Sequence, residues 1–144
     1  VVYLTDGHKG RPASMSAEEI IAVRAEEARS ALAELGVPEG KVHFLGIPDG
    51  SLGQLTAEQQ ETVSVQLAAL IAQSKAKDIY IPFRQDGHPD HDAVAGLVTR
   101  AVHHAGVSVR LHQYLIWRLW WRTPQLFSHA KGHLYVFRHR YAVR

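Results

Sequence analysis

The sequence predicts a Rossmann-like α/β domain, a three-layer sandwich with a mostly parallel sheet. Three observations predict it. Apolar runs of strand length alternate with amphipathic stretches of helix length, in the order β-α-β-α-β-α-β. The connections are too long for hairpins and suit crossovers between parallel strands. The 144 residues are 46% hydrophobic and 21% charged, a balance ordinary for a globular chain with a sizeable core. No internal repeat, linker or low-complexity segment interrupts residues 1–144, so a single domain is expected.

VVYLTDG (1–7) is an apolar run stopped by Asp-Gly, a strand entering a turn. Ser16 and Glu19 form a capping box before a helical pattern with Ile20, Val23, Ala28, Ala31, Leu32 and Leu35 near one face. Gly36 stops that helix, and Pro38 lies just beyond. KVHFLG (41–46) is a short strand, followed by the turn-rich IPDGSLGQL. Thr56 and Gln59 make a second capping box, and the helix runs on Val63, Leu67, Leu70 and Ile71 to about Ser74. DIYIPF (78–83) is a third strand. Asp90 or Asp92 is expected to cap a third helix carrying Val94, Leu97, Val98, Ala101 and Val102, ended by Gly106. VSVRLHQYLIW (107–117) reads as a fourth strand, and LYVF (134–137) as a last one.

With no cysteine, disulfides and thiolate metal sites are excluded. No apolar run reaches the roughly 18 residues of a membrane span. No signal peptide is visible, and a cytoplasmic location is the expectation. The chain starts on a strand and ends without a stop signal, so it reads as incomplete at both ends. Charge is uneven. Residues 1–99 hold all 14 acids and 8 bases, and residues 100–144 hold 8 bases and no acid. Such a basic third could meet nucleic acid or an anionic surface, but a solvated face is the simpler account, and no nucleic-acid motif accompanies it. Nucleic acid is disfavoured as a partner. A homo-oligomer is compatible with the sequence.

In open parallel sheets the site lies beyond the carboxyl ends of the strands. Three loops leave those ends: TDGHKG, GIPDG and RQDGHPDH. The third concentrates Asp86, His88, Asp90, His91 and Asp92 around Gly87 and Pro89. Pro89 pushes the residue before it out of helical geometry, so His88 belongs to the loop and His91 to the first turn of the helix. Imidazole is the commonest metal ligand, and a neighbouring carboxylate usually fixes its tautomer. Asp86, Asp90 and Asp92 are candidates for that carboxylate. The bland alternative is a polar loop with ordinary histidines. A catalytic zinc also takes three protein ligands plus water, and this loop alone does not complete such a set.

DGHPDHDAV after an apolar strand resembles the histidine motif of the PIG-L/LmbE family of zinc-dependent N-deacetylases. VVYLTDG resembles the family's second strand. Arg24 and Glu27, ahead of Leu35-Gly36-Val37, resemble its Arg-x-x-Glu helix, and FLGIPDG resembles the next loop. YLIWRLWW resembles the aromatic stretch of many bacterial members. The family opens with a strand ending in Ala-His-Pro-Asp-Asp-Glu, which supplies two zinc ligands and the general base. That motif is not among these residues.

The resemblance implies roles. His91 would be a ligand to Zn2+ or another divalent metal. His88 would stabilise the oxyanion or protonate the leaving amine, with Asp90 orienting it. Arg24, Asp49 and Asp86 would contact substrate or hold nearby loops. The reaction implied is de-N-acetylation of an N-acetylated amino sugar or related glycoconjugate. A zinc ion would acidify bound water and polarise the carbonyl, and an imidazolium would stabilise the developing charge. The absent first strand would be central, lying between the strands that match VVYLT and DIYIP.

Two rival readings belong to other classes. One is a non-catalytic relative that binds sugar or nucleic acid. The other is a membrane-surface role for YLIWRLWWRTP, although its alternating Leu115, Trp117, Leu119 and Trp121 suit a packed strand better than an interfacial helix. A dinucleotide enzyme is disfavoured, since neither glycine-containing loop has the G-x-G-x-x-G spacing. Residues 1–144 alone are expected to leave acetamides intact and to bind zinc weakly. They are also expected to lack a cooperative melt, because two facing strand edges would be unpaired. Metal-dependent hydrolysis of an N-acetylglucosamine derivative by these residues alone would contradict this expectation.

Overall fold

The computed structural model describes residues 1–10 and 14–116, and the backbone of 136–137. The described elements are β1 (Val2–Thr5), α1 (Ala17–Glu34), β2 (His43–Ile47), α2 (Ala57–Ser74), β3 (Asp78–Pro82), α3 (Pro89–Ala105), β4 (Arg110–Tyr114) and β5 (Val136–Phe137). The alternating α/β order is therefore as the sequence predicts. Two compact units divide the chain, Val1–Leu52 and Gly53–Arg144. The strands form two sheets among the described residues: a parallel pair β1-β2, and a sheet β3-β4-β5. The pairing within β3-β4 is parallel, and β5 joins β4 antiparallel. Among the described residues the two parallel pairs are not joined, as expected of a sheet whose central strand is not among these residues.

In the first unit, β1 and β2 pair from Val2 opposite His43 to Thr5 opposite Ile47, with a register shift between Tyr3 and Thr5. Tyr3 and Phe44 stack across the pair at 5.1 Å between ring centroids, a cross-strand aromatic contact of the kind that stabilises sheets. The Ser16 capping box forms as expected: Ser16 accepts from the Glu19 amide, and Glu19 accepts from the Ser16 amide. At the other end Gly36, at φ 74°, lets the chain reverse. Its amide donates to Ala33 and that of Val37 donates to Leu32, both at 2.9 Å, which satisfies two terminal carbonyls. The apolar stripe of α1 is covered less than its periodicity suggests. Ile20 and Leu32 are buried, but Val23 is 40% and Leu35 77% exposed.

The second unit holds a denser core. Helices α2 and α3 pack on each other, and α3 packs on β3. Every apolar position expected of α3 is buried: Val94, Leu97, Val98, Ala101 and Val102. On α2, Val63 and Leu67 are buried as expected, while Ser64 and Ala68 join them in place of Leu70 and Ile71. The fully buried Ser64 hydroxyl donates to Gln60 O at 2.8 Å, with Leu97 O also within reach at 3.3 Å. A buried hydroxyl is tolerated only with such acceptors. The small Ser64 side chain lets α2 approach the α3 backbone at Leu97. Strand β4 is shorter than expected, because Val107 to Val109 lie outside it. On its far face Asp78 accepts from Arg110 and His112, which locks the register at the start of β3 and β4.

Two substitutions check the balance in this unit, measured by urea unfolding of the whole protein. Leu97→Ala should cost about 2–5 kcal/mol, since it removes buried methyls and leaves a cavity. Lys75, which ends α2 at φ 53°, sits where a side chain is strained, so Lys75→Gly should stabilise by roughly 0.5–1 kcal/mol.

Candidate functional site

Three strands of the chain run into Asp-Gly turns, and each glycine adopts positive φ: Gly7 (68°), Gly50 (78°) and Gly87 (89°). The turns put Asp6, Asp49 and Asp86 at the carboxyl ends of β1, β2 and β3, where polar chemistry is expected.

In the second unit, Asp86 organises the histidine loop. It is 1% exposed. One carboxylate oxygen lies 2.8 Å from His91 Nδ1. The Ile116 amide, just beyond β4, reaches its two oxygens at 3.1 and 3.3 Å. A carboxylate accepts hydrogen bonds, so the proton in the 2.8 Å contact belongs to Nδ1 of His91. In the neutral ring the lone pair then sits on Nε2, the arrangement that suits a metal ligand. Burial and the nearby Asp86 charge together raise the Tyr114 phenol above its usual range.

His88 lies extended outside the helix and His91 in its first turn, as expected, but the cap is a different residue. His88 is itself the N-cap of α3, in place of Asp90 or Asp92, and Pro89 takes the first helical position. The residue before proline is extended, and proline is pre-set for a first turn, so the helix cannot start earlier. The Asp90 amide lies 3.3 Å from His88 Nδ1. A ring that accepts there carries its neutral-form proton on Nε2. The two imidazoles therefore have opposite tautomers: His91 offers a lone pair at Nε2, and His88 offers an N–H. Their centroids are 4.7 Å apart, tilted by 35°. Asp90 is buried at 5% exposure and meets His88 through its backbone amide. Asp86, expected at the substrate, has no exposed side-chain surface. Its place is behind His91.

In the first unit a second carboxylate–imidazole pair stands at the ends of β1 and β2. Asp6 Oδ1 lies 2.8 Å from His8 Nδ1 and accepts from the amides of His8 at 3.1 Å and Asp49 at 3.0 Å. Partial burial opposes the charge on Asp6, but the bonds from His8 and the two amides outweigh it and hold the carboxyl below its usual range. Asp49 accepts from the Lys9 amide at 3.3 Å, and a Cβ at Gly50 would collide with the Lys9 side chain. Arg24 is half exposed, donates to Glu27 at 2.8 Å and reaches Gly10 O at 3.2 Å. Arg24 and Asp49 thus hold the TDGHKG loop. The sequence reading missed His8; its signal was an aspartate two residues earlier in a strand-end loop.

Among the described residues no three His, Asp or Glu side chains converge to hold a cation. His91 fits as one ligand, and these residues do not make up a full zinc set. No described helix is long and apolar enough to cross a membrane.

Asp6 gives a pH-dependent expectation. Its folded-state pKa is depressed, so its stabilising contribution is present above the unfolded carboxyl value and is lost as pH falls through the folded one. Asp6→Asn should weaken the whole protein by about 1 kcal/mol at neutral pH. The gap should close in acid, as read from urea midpoints measured between neutral and acid pH.

Comparison with known proteins follows the same residues. The family model for PIG-L, GlcNAc-PI de-N-acetylase, matches residues 1–102. A conserved protein of Thermus thermophilus is similar at 28% identity and TM-score 0.60, over 80% of this chain and 51% of that one. The N,N'-diacetylchitobiose deacetylase of Pyrococcus horikoshii, solved with its inhibitor, shares the fold at 20% identity and TM-score 0.65, over 78% of this chain and 48% of that one. The chain spans about half the length of these solved structures. With both histidines and all three Asp-Gly turns inside the matched span, the chain belongs to the PIG-L family.

Proposed function

We propose that the protein to which this chain contributes removes an acetyl group from an N-acetylated amino sugar or related glycoconjugate, using a divalent metal, with zinc the first choice. The observation that carries the reading is the pair of neighbouring imidazoles in opposite tautomers, His91 backed by Asp86 and His88 held by the Asp90 amide. Family membership and the deacetylase among the similar folds support the same class of reaction.

In this reading His91 is one metal ligand, and the others come from outside the described residues. The metal, when bound, supplies a polarised carbonyl and an acidified water. Asp86 keeps the His91 ring from turning by accepting from its Nδ1. His88 directs its Nε2–H at the carbonyl oxygen, where it stabilises the charge that develops in the transition state. Asp90 fixes His88 through its amide. Arg24 and Asp49 shape the rim loop and meet substrate hydroxyls. The chain acts as one domain of that enzyme.

The test separates the two imidazoles. Chelation of the whole protein should abolish deacetylation of an N-acetylglucosamine derivative, and zinc should restore it. His91→Ala should lose bound metal. His88→Ala should keep the metal yet lose roughly 10²–10⁴-fold in kcat. Full metal content in His91→Ala, or activity unaffected by chelation, would overturn the assignment.

A further inference from the structure

Asp-Gly is the pair of residues at which a polypeptide backbone rearranges most readily. The glycine amide nitrogen attacks the aspartate Cγ, closes a succinimide ring and expels a carboxyl oxygen as water. Water then opens the ring at either carbonyl. Opening at Cγ returns aspartate. Opening at the main-chain carbonyl leaves the chain running through Cγ, as isoaspartate with a free α-carboxylate. No atom is gained or lost overall, nothing is oxidised or reduced, and water is the only co-reactant. The chain has three Asp-Gly pairs and no asparagine, the other residue that takes this route.

The three pairs differ in the state of the carboxylate. All three glycines share positive φ, so backbone freedom does not separate them. Ring closure needs the carboxyl to swing toward the next amide and to give up its charge. Hydrogen-bond donors already bound to it oppose both. Asp6 accepts from the His8 ring and from the amides of His8 and Asp49. Asp86 is buried and bonded to His91 and to the Ile116 amide. Asp49 is held far less. Among the described residues its carboxylate has one partner, the Lys9 amide, in an exposed contact of 3.3 Å, which is long for a hydrogen bond. The Lys9 side chain also stands where a Cβ of Gly50 would be. A cation beside the Gly50 amide favours its deprotonated form, which is the attacking one.

We propose that Asp49-Gly50 is a modification site, which converts to isoaspartate in the folded protein while Asp6-Gly7 and Asp86-Gly87 are protected by the bonds on their carboxylates. Isoaspartate adds a methylene to the main chain and takes it from the side chain. At position 49 that draws the carboxylate back from the Lys9 amide and shifts Gly50 and the turn after it, so the TDGHKG loop loses a tether. Under the function proposed above, it also displaces a group that meets substrate hydroxyls.

The test is ageing of the whole protein at neutral pH and body temperature, with a parallel sample in urea. Trypsin isolates the site, because residues 42–75 contain Asp49 as their only aspartate. Isoaspartate is counted by enzymatic methylation with a labelled methyl donor and located by fragmentation of each peptide, readouts that need no deacetylase activity. In the folded protein the 42–75 peptide should gain isoaspartate roughly tenfold faster than the peptides holding Asp6 and Asp86, the factor that one charge-assisted hydrogen bond is worth. In urea the native bonds are gone, and the three rates should converge to within about threefold. Lys9→Met, which keeps the amide contact and removes the charge, should slow the reaction at Asp49 a few-fold. Equal rates at the three sites in the folded protein, or a lead by Asp6 or Asp86, overturn the proposal. So does an Asp49 lead that persists unchanged in urea, since it would then belong to the local sequence and not to the fold. Deacetylation that holds steady while isoaspartate accumulates at Asp49 keeps the modification site and overturns only the substrate role of Asp49.

Discussion

A carboxylate taken out of water keeps its charge only if hydrogen-bond donors surround it. That requirement shapes both units of this chain. Asp86 is almost fully buried and is met by a side-chain imidazole and a backbone amide thirty residues away. Asp6 is met by an imidazole and two amides. In each case the aspartate stands at the end of a parallel strand, and a glycine at positive φ turns the chain so that donors can arrive. In each unit those bonds hold the loop after the strand, and the imidazole gains a fixed tautomer as a result.

The same three letters lead to different outcomes in the two units. Asp6-Gly7-His8 and Asp86-Gly87-His88 are identical triplets. In the first, the aspartate takes its own histidine two residues on. In the second it takes His91, and His88 becomes a helix cap. The difference is Pro89. It starts α3 at once, so that His91 comes round one turn later, while His88 is held extended. A proline with no titratable group thus decides which imidazole is backed by a carboxylate.

What could be read from the sequence follows the range of the interactions involved. The capping boxes at Ser16 and Thr56, the glycine stop at Gly36 and the apolar face of α3 depend on residues within a few positions, and periodicity reveals them. The loop carrying His88 and His91 was legible through its composition and its place after a strand. The pairing of Asp86 with His91 was only one of three carboxylate choices, because the deciding donor, the Ile116 amide, comes from beyond another strand. The exposure of Val23 and Leu35 on α1 was not legible either: periodicity shows which face is apolar, and tertiary packing decides how much of it is covered. The two unjoined parallel pairs were legible through the family resemblance, which puts the missing strand between the segments that match VVYLT and DIYIP; no local pattern would have shown it.

The bond from Ile116 to Asp86 also carries a consequence for how the site comes into being. It closes a loop of thirty residues that contains all of α3 and β4. Loop closure of that length costs chain entropy before any contact repays it. The helix can form early on its local signals, and the bond that sets the His91 tautomer spans only five residues, so it can form with the helix. The tether from Asp86 to the segment beyond β4 waits for β4 to align beside β3, so the imidazole is oriented before the carboxylate behind it is anchored to the sheet.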